Sequence, residues 1–234
     1  MTYGTTITDH DLGRWGTIKF AQWDHPNEGR KEFSEEYIDW LAQFIKPGDT
    51  AIDIGAFTGD TALPMAIAAG PAGTVYAFEP NPASLEVLLK NATLNNHIAP
   101  IIVCPYAIGV TGGDAVFRYH CEQINGGFLM QGDPVTVKRV RLDECEINAS
   151  RVAFVKFDCE KEDGALLAEF TPWLSKHRAV VKVERFPGLD DNERRVFWNA
   201  VFNYGTAFID GDWTTTPLTE IPEGLTNIVI KPNA

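Results

Sequence analysis

The sequence predicts an α/β fold with a seven-stranded, mostly parallel sheet, helices on both faces and an antiparallel last strand. Two observations predict it. Short apolar runs alternate with amphipathic segments from residue 50 to residue 202, a pattern typical of parallel strands joined by helical crossovers. The last two apolar runs have no helical segment between them, so we expect the final strand to add an antiparallel edge.

The first 33 residues are polar and rich in turn-forming glycines. We expect residues 1–33 to form a cap or lid rather than part of the core. Ser34 is a suitable N-cap for a helix with apolar residues at helical spacing, which Pro47 and Gly48 end. Residues 34–234 show no linker or internal repeat, and this predicts a single domain.

Within that domain, the order of the apolar runs predicts the order of the elements. The predicted strands cover 50–55, 74–78, 101–104, 153–157, 179–183, 206–209 and 227–231. Helices are expected up to residue 69, from about 82 to 94, up to about 174, and from 191 to 202. An insertion at about 114–140 predicts a hairpin of 115–119 with 135–140. Its loop contains Gly126-Gly127-Phe128, and we expect it to border a substrate opening.

Composition disfavours several classes of protein. The chain has 234 residues, of which 44% are hydrophobic, and its formal net charge is −12. An acidic chain is a poor partner for nucleic acid, because neutralising phosphates requires clustered Lys and Arg. No apolar run is long enough to predict a membrane span, and no signal peptide is visible, so we expect a cytoplasmic protein with reduced cysteines.

The sharpest motif follows the first strand of the alternating segment. Glycines there allow a tight turn into a helix whose N-terminus carries partial positive charge. Glu79 ends the second strand, where a carboxylate can accept hydrogen bonds from both ribose hydroxyls. The three-glycine dinucleotide fingerprint is absent, and Asp53 instead suits the ammonium of S-adenosylmethionine. The cofactor-binding residues predicted here are Asp53, Gly55, Ala56, Phe57, Gly59, Glu79 and Pro80.

Five segments together resemble one known family. They are residues 46–56, 76–82, 107–109, 140–144 and 155–184, and the resemblance runs in consistent order over about residues 46–231. The chain resembles FkbM-type methyltransferases. This implies a Rossmann-like class I fold that uses S-adenosylmethionine, usually for O-methylation of a sugar or natural-product hydroxyl. It also implies adenine-side contacts by Tyr106 and Ala107.

The chain departs from the family pattern at two positions. Pro105 stands where the family commonly has Asn, and Lys161 replaces the Gly of the motif that begins at Asp158.

Acidic residues gather at the predicted ends of the fourth and fifth strands. Asp158 and Glu160 follow one strand, and Glu184 ends the next. Carboxylates there can orient an acceptor hydroxyl, take its proton or hold a divalent cation. We predict Asp158, Glu160 and Glu184 as catalytic residues, with Glu160 as base and Asp158 as an orienting group that also contacts the cofactor. We expect Lys161 to help keep a carboxylate ionised. No dedicated metal site is predicted, and the divalent cation is an alternative.

The predicted function is therefore O-methylation of a small-molecule or glycan acceptor, with residues 1–33 and the insertion covering the acceptor side. One alternative is a non-catalytic module that keeps the cofactor pocket. A less favoured alternative is an NAD-dependent oxidoreductase. Such an enzyme would also use Glu79, but this chain lacks the three-glycine turn and the Tyr-x-x-x-Lys pair of that class.

Overall fold

The structure is a computed structural model that describes residues 3–119, 126–128, 132–149, 151–210, 217–220, 222 and 224–233. The described part begins with a β-hairpin and continues as an alternating series of strands and helices. In chain order the elements are β1 (Thr5–Asp11), β2 (Thr17–Trp23), α1 (Glu35–Leu41), β3 (Thr50–Ile54), α2 (Ala62–Ala69), β4 (Thr74–Phe78), α3 (Pro82–Leu94), β5 (Ile101–Cys104), β6 (Ala107–Ile108), β7 (Gly113–Tyr119), β8 (Gly126–Gly127), β9 (Asp133–Val140), β10 (Val152–Phe157), α4 (Asp163–His177), β11 (Val180–Glu184), α5 (Asp191–Tyr204), β12 (Gly205–Ile209) and β13 (Asn227–Pro232).

The main sheet has seven strands in the order β12-β13-β11-β10-β3-β4-β5. Strand β10 runs parallel to β3 and β11, and β4 runs parallel to β3 and β5. Strand β13 is antiparallel to both of its neighbours, β11 and β12. The predicted mostly parallel sheet with an antiparallel last strand is confirmed. The last strand lies one position inside the edge, because β13 inserts between β11 and β12.

Two hydrophobic clusters cover the two faces of this sheet. One contains Ile38 and Leu41 of α1, the residues of α2, and Phe154. The other contains Phe157, together with Phe170 of α4 and Phe197 of α5. Helices therefore flank both faces, as the alternating pattern predicts. No helix in the described ranges is long and apolar enough to cross a bilayer.

The insertion forms a second sheet with the order β6-β9-β7-β8. Strands β7 and β9 form the predicted antiparallel hairpin, which begins at Gly113 opposite Arg139. Strand β6 joins β9 in parallel and was not predicted, because two residues are too short a run to show a period. Most of the predicted loop, residues 120–125 and 129–131, lies outside the described residues.

The N-terminal segment contributes to the core, which corrects the expectation of a cap outside it. Strands β1 and β2 pair antiparallel over their full length. Ile18 and Phe20 of β2 are buried and belong to the same cluster as α1 and α2. In β2, Ile18 and Phe20 alternate with polar residues, but Ala21 breaks the period, so this short signal was obscured among the surrounding polar turns. That residues 1–33 act as a separate lid remains a prediction.

Two asparagine side chains on α3 attach this hairpin to the domain. The Asn91 amide accepts from Ala21 N at 2.6 Å and donates to Ala21 O at 3.2 Å and to Thr58 O at 2.8 Å. One turn later, the Asn95 amide accepts from Lys19 N and donates to Lys19 O, both at 2.8 Å. The two amides thus satisfy the outer edge of β2 as a neighbouring strand would.

We expect Asn91→Ala to lower the free energy of unfolding by about 2–4 kcal/mol, because it leaves three buried backbone groups unsatisfied. Asn95→Ala is the matched comparison. Its bonds to Lys19 are only partly buried, so the expected loss is about 1 kcal/mol. Urea unfolding measures both. Equal losses would show that the Asn91 amide has no special role in attaching the hairpin.

Candidate active site

A cavity of about 300 Å³ opens at the carboxyl ends of β3, β4 and β10. Ligands of open α/β sheets bind at this edge. Many of the predicted site residues line it, namely Gly55, Phe57, Glu79, Pro80, Tyr106, Ala107, Asp158, Glu160 and Glu184. The other predicted residues, Asp53, Ala56 and Gly59, are not part of the lining and lie behind this wall.

The glycines of the turn after β3 allow close packing. Gly55 has a φ of +79°, and a Cβ there would lie 1.9 Å from the carbonyl oxygen of Asp158. Gly59 has a φ of +91°, and its Cβ would meet Leu88 of α3 at 2.9 Å. Gly55 thus lets the ends of β3 and β10 approach each other. Gly59 serves helix packing instead of the cavity.

Glu79 presents a buried carboxylate to the cavity. Glu79 is only 6% exposed, and its carboxylate accepts hydrogen bonds from Phe57 N at 2.8 Å and from Asn81 N at 2.7 Å. Burial raises the pKa of Glu79 to about 7, against these two hydrogen bonds. The Ser84 hydroxyl also lowers the pKa of Glu79 by hydrogen bonding. A carboxylate has about four acceptor positions, so the ionised group still has capacity for a ligand donor. That capacity fits a hydroxyl of a ribose.

A buried ammonium joins the strand ends beneath the cavity. Lys156 Nζ lies 3.1 Å from Asp158 Oδ2, 3.3 Å from Asp53 Oδ1 and 3.2 Å from the carbonyl oxygen of Gly55. Burial lowers the pKa of Lys156, but Asp158 and Asp53 outweigh it and hold the pKa well above its usual value. Lys156 lines the cavity and was missed, because it appears in the sequence as one polar residue within an apolar strand.

Asp53 therefore contacts Lys156 below the cavity. It is fully buried, and burial raises its pKa to about 6 even though Lys156 opposes that shift. The sequence predicts that this carboxylate binds the ammonium of a ligand. In the structure it pairs with the ammonium of Lys156 instead.

Asp158 and Glu184 both line the cavity, and the interaction between their carboxyl groups shifts the pKa of each. Burial raises the pKa of Glu184, and the adjacent Asp158 raises it further. For Asp158, burial acts in the same direction, but Lys156 and the hydrogen bond from Glu184 outweigh it and lower its pKa. These shifts run in opposite directions, so Glu184 is the more basic member of the pair. Among the described residues, no group of His, Cys, Asp and Glu is arranged to hold a metal ion, so the divalent cation gains no support.

The turn after β10 has two consecutive residues in the left-handed region. Glu160 has a φ of +51° and Lys161 a φ of +80°, a conformation that favours glycine. The Lys161 ammonium lies 5.1 Å from the centre of the Phe186 ring. The pKa of Glu160 is raised, by burial and then by Asp158. This direction is opposite to the expected effect of Lys161 on a neighbouring carboxylate.

The second sheet forms the opposite wall. Phe117 of β7 and Phe128 line the cavity, with ring centres 5.4 Å apart. Arg139 of β9 covers the Phe128 ring at 4.4 Å and pairs with Glu162 at 2.9 Å. The insertion therefore borders the same cavity as Glu79, and its aromatic side chains make that wall apolar.

A smaller cavity of about 140 Å³ adjoins the first, and Glu184 lines both. Lys161, Asp163 and Phe186 contribute to its walls, as does the start of α5. Burial raises the pKa of Asp163 to about 7. Sequence reasoning did not find this cavity, because its residues come from two loops that are separate in the chain.

The family model of the FkbM methyltransferase domain matches residues 53–204, and the chain belongs to this family. Its sheet order and closing antiparallel strand are those of the class I S-adenosylmethionine-dependent methyltransferase fold. Comparison with curated proteins found no match.

Solved structures share this fold. The methyltransferase FkbM from Methylobacillus flagellatus is 13% identical with a TM-score of 0.51, and the match covers 82% of this chain and 50% of that one. The 16S rRNA N2 G1207 methyltransferase of T. thermophilus, solved with AdoMet and guanosine, is 12% identical with a TM-score of 0.51, covering 98% of this chain and 51% of that one. At these identities the likeness concerns the fold.

Replacing Lys161 with Gly should raise the free energy of unfolding by about 0.5–1 kcal/mol, because glycine adopts its left-handed backbone without a Cβ penalty. Arg178→Gly is the matched control, since Arg178 caps α4 with a φ of 54° away from the cavity. Urea unfolding of both variants measures the effect. If Arg178→Gly stabilises and Lys161→Gly destabilises, the Lys161 side chain itself holds the turn.

Proposed function

We propose that this protein is an S-adenosylmethionine-dependent O-methyltransferase acting on a hydroxyl of a sugar, glycan or natural product. The observation that carries this proposal is the buried Glu79 carboxylate, which lines the same cavity as Asp158 and Glu184. The cavity thus combines a group that suits a ribose with carboxyl groups that can act on an acceptor.

The residues around Glu79 fit the nucleoside part of the cofactor. Glu79 would accept from a ribose hydroxyl, while Pro80, Tyr106 and Ala107 border the space for the adenine. The apolar face of Phe117 closes that space from the second sheet. When bound, S-adenosylmethionine supplies an electrophilic methyl group on its sulfonium sulfur. The protein has to hold an acceptor oxygen in line with that group and exclude water.

The carboxyl groups at the strand ends divide the work on the acceptor. Glu160 is the proposed base, because its raised pKa makes it a better proton acceptor than Asp158, whose pKa is lowered. Asp158, fixed by Lys156, orients the acceptor hydroxyl. Glu184, the more basic member of the pair, is the proposed hydrogen-bond donor to Asp158. The smaller cavity behind Glu184 has room for part of the acceptor.

The charge of this region favours an uncharged acceptor over a nucleic acid. Asp158, Glu160, Glu162 and Glu184 all line the main cavity. A phosphodiester chain approaching them would meet carboxylates. A neutral hydroxyl compound can instead use them as hydrogen-bond acceptors.

The affinity for S-adenosylhomocysteine should fall about tenfold between pH 8 and pH 6. A carboxylate with a pKa of about 7 is mostly ionised at the upper pH and mostly protonated at the lower one, and the ionised form is the better acceptor for a ribose hydroxyl. Calorimetric titration measures this, and Glu79→Gln should bind more weakly with a flatter profile. An unchanged profile in Glu79→Gln would assign the pH dependence to another group, such as Asp163.

Glu160→Gln should slow methyl transfer at least tenfold. The measurement is a single-turnover assay in which S-adenosylmethionine is bound in advance and labelled product is followed with a panel of sugar acceptors. Binding of S-adenosylhomocysteine should stay within about twofold of the unmodified protein, since Glu160 is placed on the acceptor side. Glu169→Gln, on an exposed face of α4, is the control. An unchanged chemical step would remove Glu160 from the mechanism, and cofactor binding without transfer to any acceptor would favour the non-catalytic module.

A further inference from the structure

A lysine from outside the matched family segment reaches the main cavity. Lys31 follows the N-terminal hairpin, and it lines the cavity together with Asp60. Its ammonium lies 2.8 Å from Asp60 Oδ2 and 3.0 Å from Glu28 Oε1. The same ammonium lies 5.2 Å from the centre of the Phe57 ring. Lys31 and Asp60 thus present opposite charges side by side at one end of the cavity.

The buried Glu28 side chain contacts Lys31 from the protein interior and fixes the Lys31–Asp60 pair. The Glu28 side chain is only 1% exposed, whereas Lys31 and Asp60 side chains are 25% and 29% exposed. Lys31 N also donates to Gln22 Oε1 at 2.8 Å, which fixes the backbone of the segment to β2. The ammonium is therefore anchored through Glu28, and one side of the Lys31–Asp60 pair remains accessible from the cavity.

Phe57 connects this pair to the proposed ribose site. Its N–H donates to Glu79 at 2.8 Å, and its ring lies beneath the Lys31 ammonium. Phe57 has a φ of +50°, a left-handed conformation that is rare for an aromatic residue. Strain of this kind persists where the surrounding structure imposes it, commonly at ligand sites. The turn thus presents Glu79 on one side and the charge pair on the other.

The amino-acid end of S-adenosylmethionine carries one ammonium and one carboxylate. Asp53 cannot receive that ammonium, because it is fully buried and bonded to Lys156. A zwitterion requires an anion and a cation next to each other, and such a pair lines the cavity at Lys31 and Asp60. We propose that Asp60 binds the ammonium and Lys31 the carboxylate of the cofactor's amino-acid end.

This inference rests on the proposed function and adds a role for the segment that follows the N-terminal hairpin. The segment that carries Lys31 would be part of the cofactor site, in contrast to the expected cover on the acceptor side. A Lys31–Asp60 pair that served only to hold this segment in place would leave the preference between ligands with and without the amino-acid group unchanged.

Two ligands that differ only at this end test the proposal on the full chain. S-adenosylhomocysteine has the amino-acid group, and 5′-methylthioadenosine keeps the nucleoside and sulfur but lacks it. Calorimetry with both ligands gives a ratio of dissociation constants for each variant. This ratio does not depend on the fraction of folded protein, so a partly unfolded variant remains informative. Lys19→Met is the matched control, because Lys19 forms an exposed pair with Asp9 on the hairpin that precedes Lys31.

We expect Lys31→Met and Asp60→Asn each to weaken S-adenosylhomocysteine roughly tenfold or more, the effect of losing a charged hydrogen bond. Binding of 5′-methylthioadenosine should change less than about twofold, and Lys31→Arg should keep most of the preference. Equal weakening of both ligands, or no weakening, would overturn the inference while leaving the proposed function intact. If the unmodified protein binds neither ligand, the proposed function is wrong and the inference fails with it.

Discussion

The buried ammonium of Lys156 is the interaction on which the rest of the site depends. A charged group in a protein interior has to be paired, because the cost of removing it from water is otherwise too high. Lys156 is paired with Asp53 at the end of β3, with Asp158 beyond the end of β10, and with the carbonyl oxygen of Gly55 between them. The two central strands are thereby joined at the edge where the cavity opens.

Several features of the cavity follow from that junction. Because Gly55 has no Cβ, the turn after β3 can lie against the backbone of Asp158. Because Lys156 lowers the pKa of Asp158 and Asp158 raises that of Glu184, Glu184 is the more basic member of the carboxyl pair. Neighbouring carboxyl groups with pKa values pushed apart in this way are suited to different roles, one as acceptor and one as donor.

The sequence was sufficient for the main sheet and its helices, because each buried strand is a short apolar run and each crossover helix is a longer segment between two such runs. The alternation of apolar and amphipathic segments predicted the strands of the main sheet to within a residue or two, and the motif around Gly55 and Glu79 predicted the cavity edge. The sequence did not predict which side chains from distant parts of the chain would pair. Asp53 shows no sign in the sequence of its partner 103 residues away. Lys31 lies in a polar segment whose only clear signal was turns, so its approach to Asp60 depends on how the hairpin packs against α3.

A double-mutant cycle on Asp53 and Lys156 tests this account most directly, with the free energy of unfolding measured for each variant. Lys156→Met should cost about 3–5 kcal/mol, since it leaves the Asp53 charge buried without a partner. Adding Asp53→Asn should restore a large part of that loss. The same Asp53→Asn change should not rescue Lys182→Met, because Lys182, which lies beside Lys156 on the neighbouring strand β11, pairs with Asp210. If the losses from Asp53→Asn and Lys156→Met simply add, the Lys156 ammonium does not join the strand ends, and the central claim is contradicted.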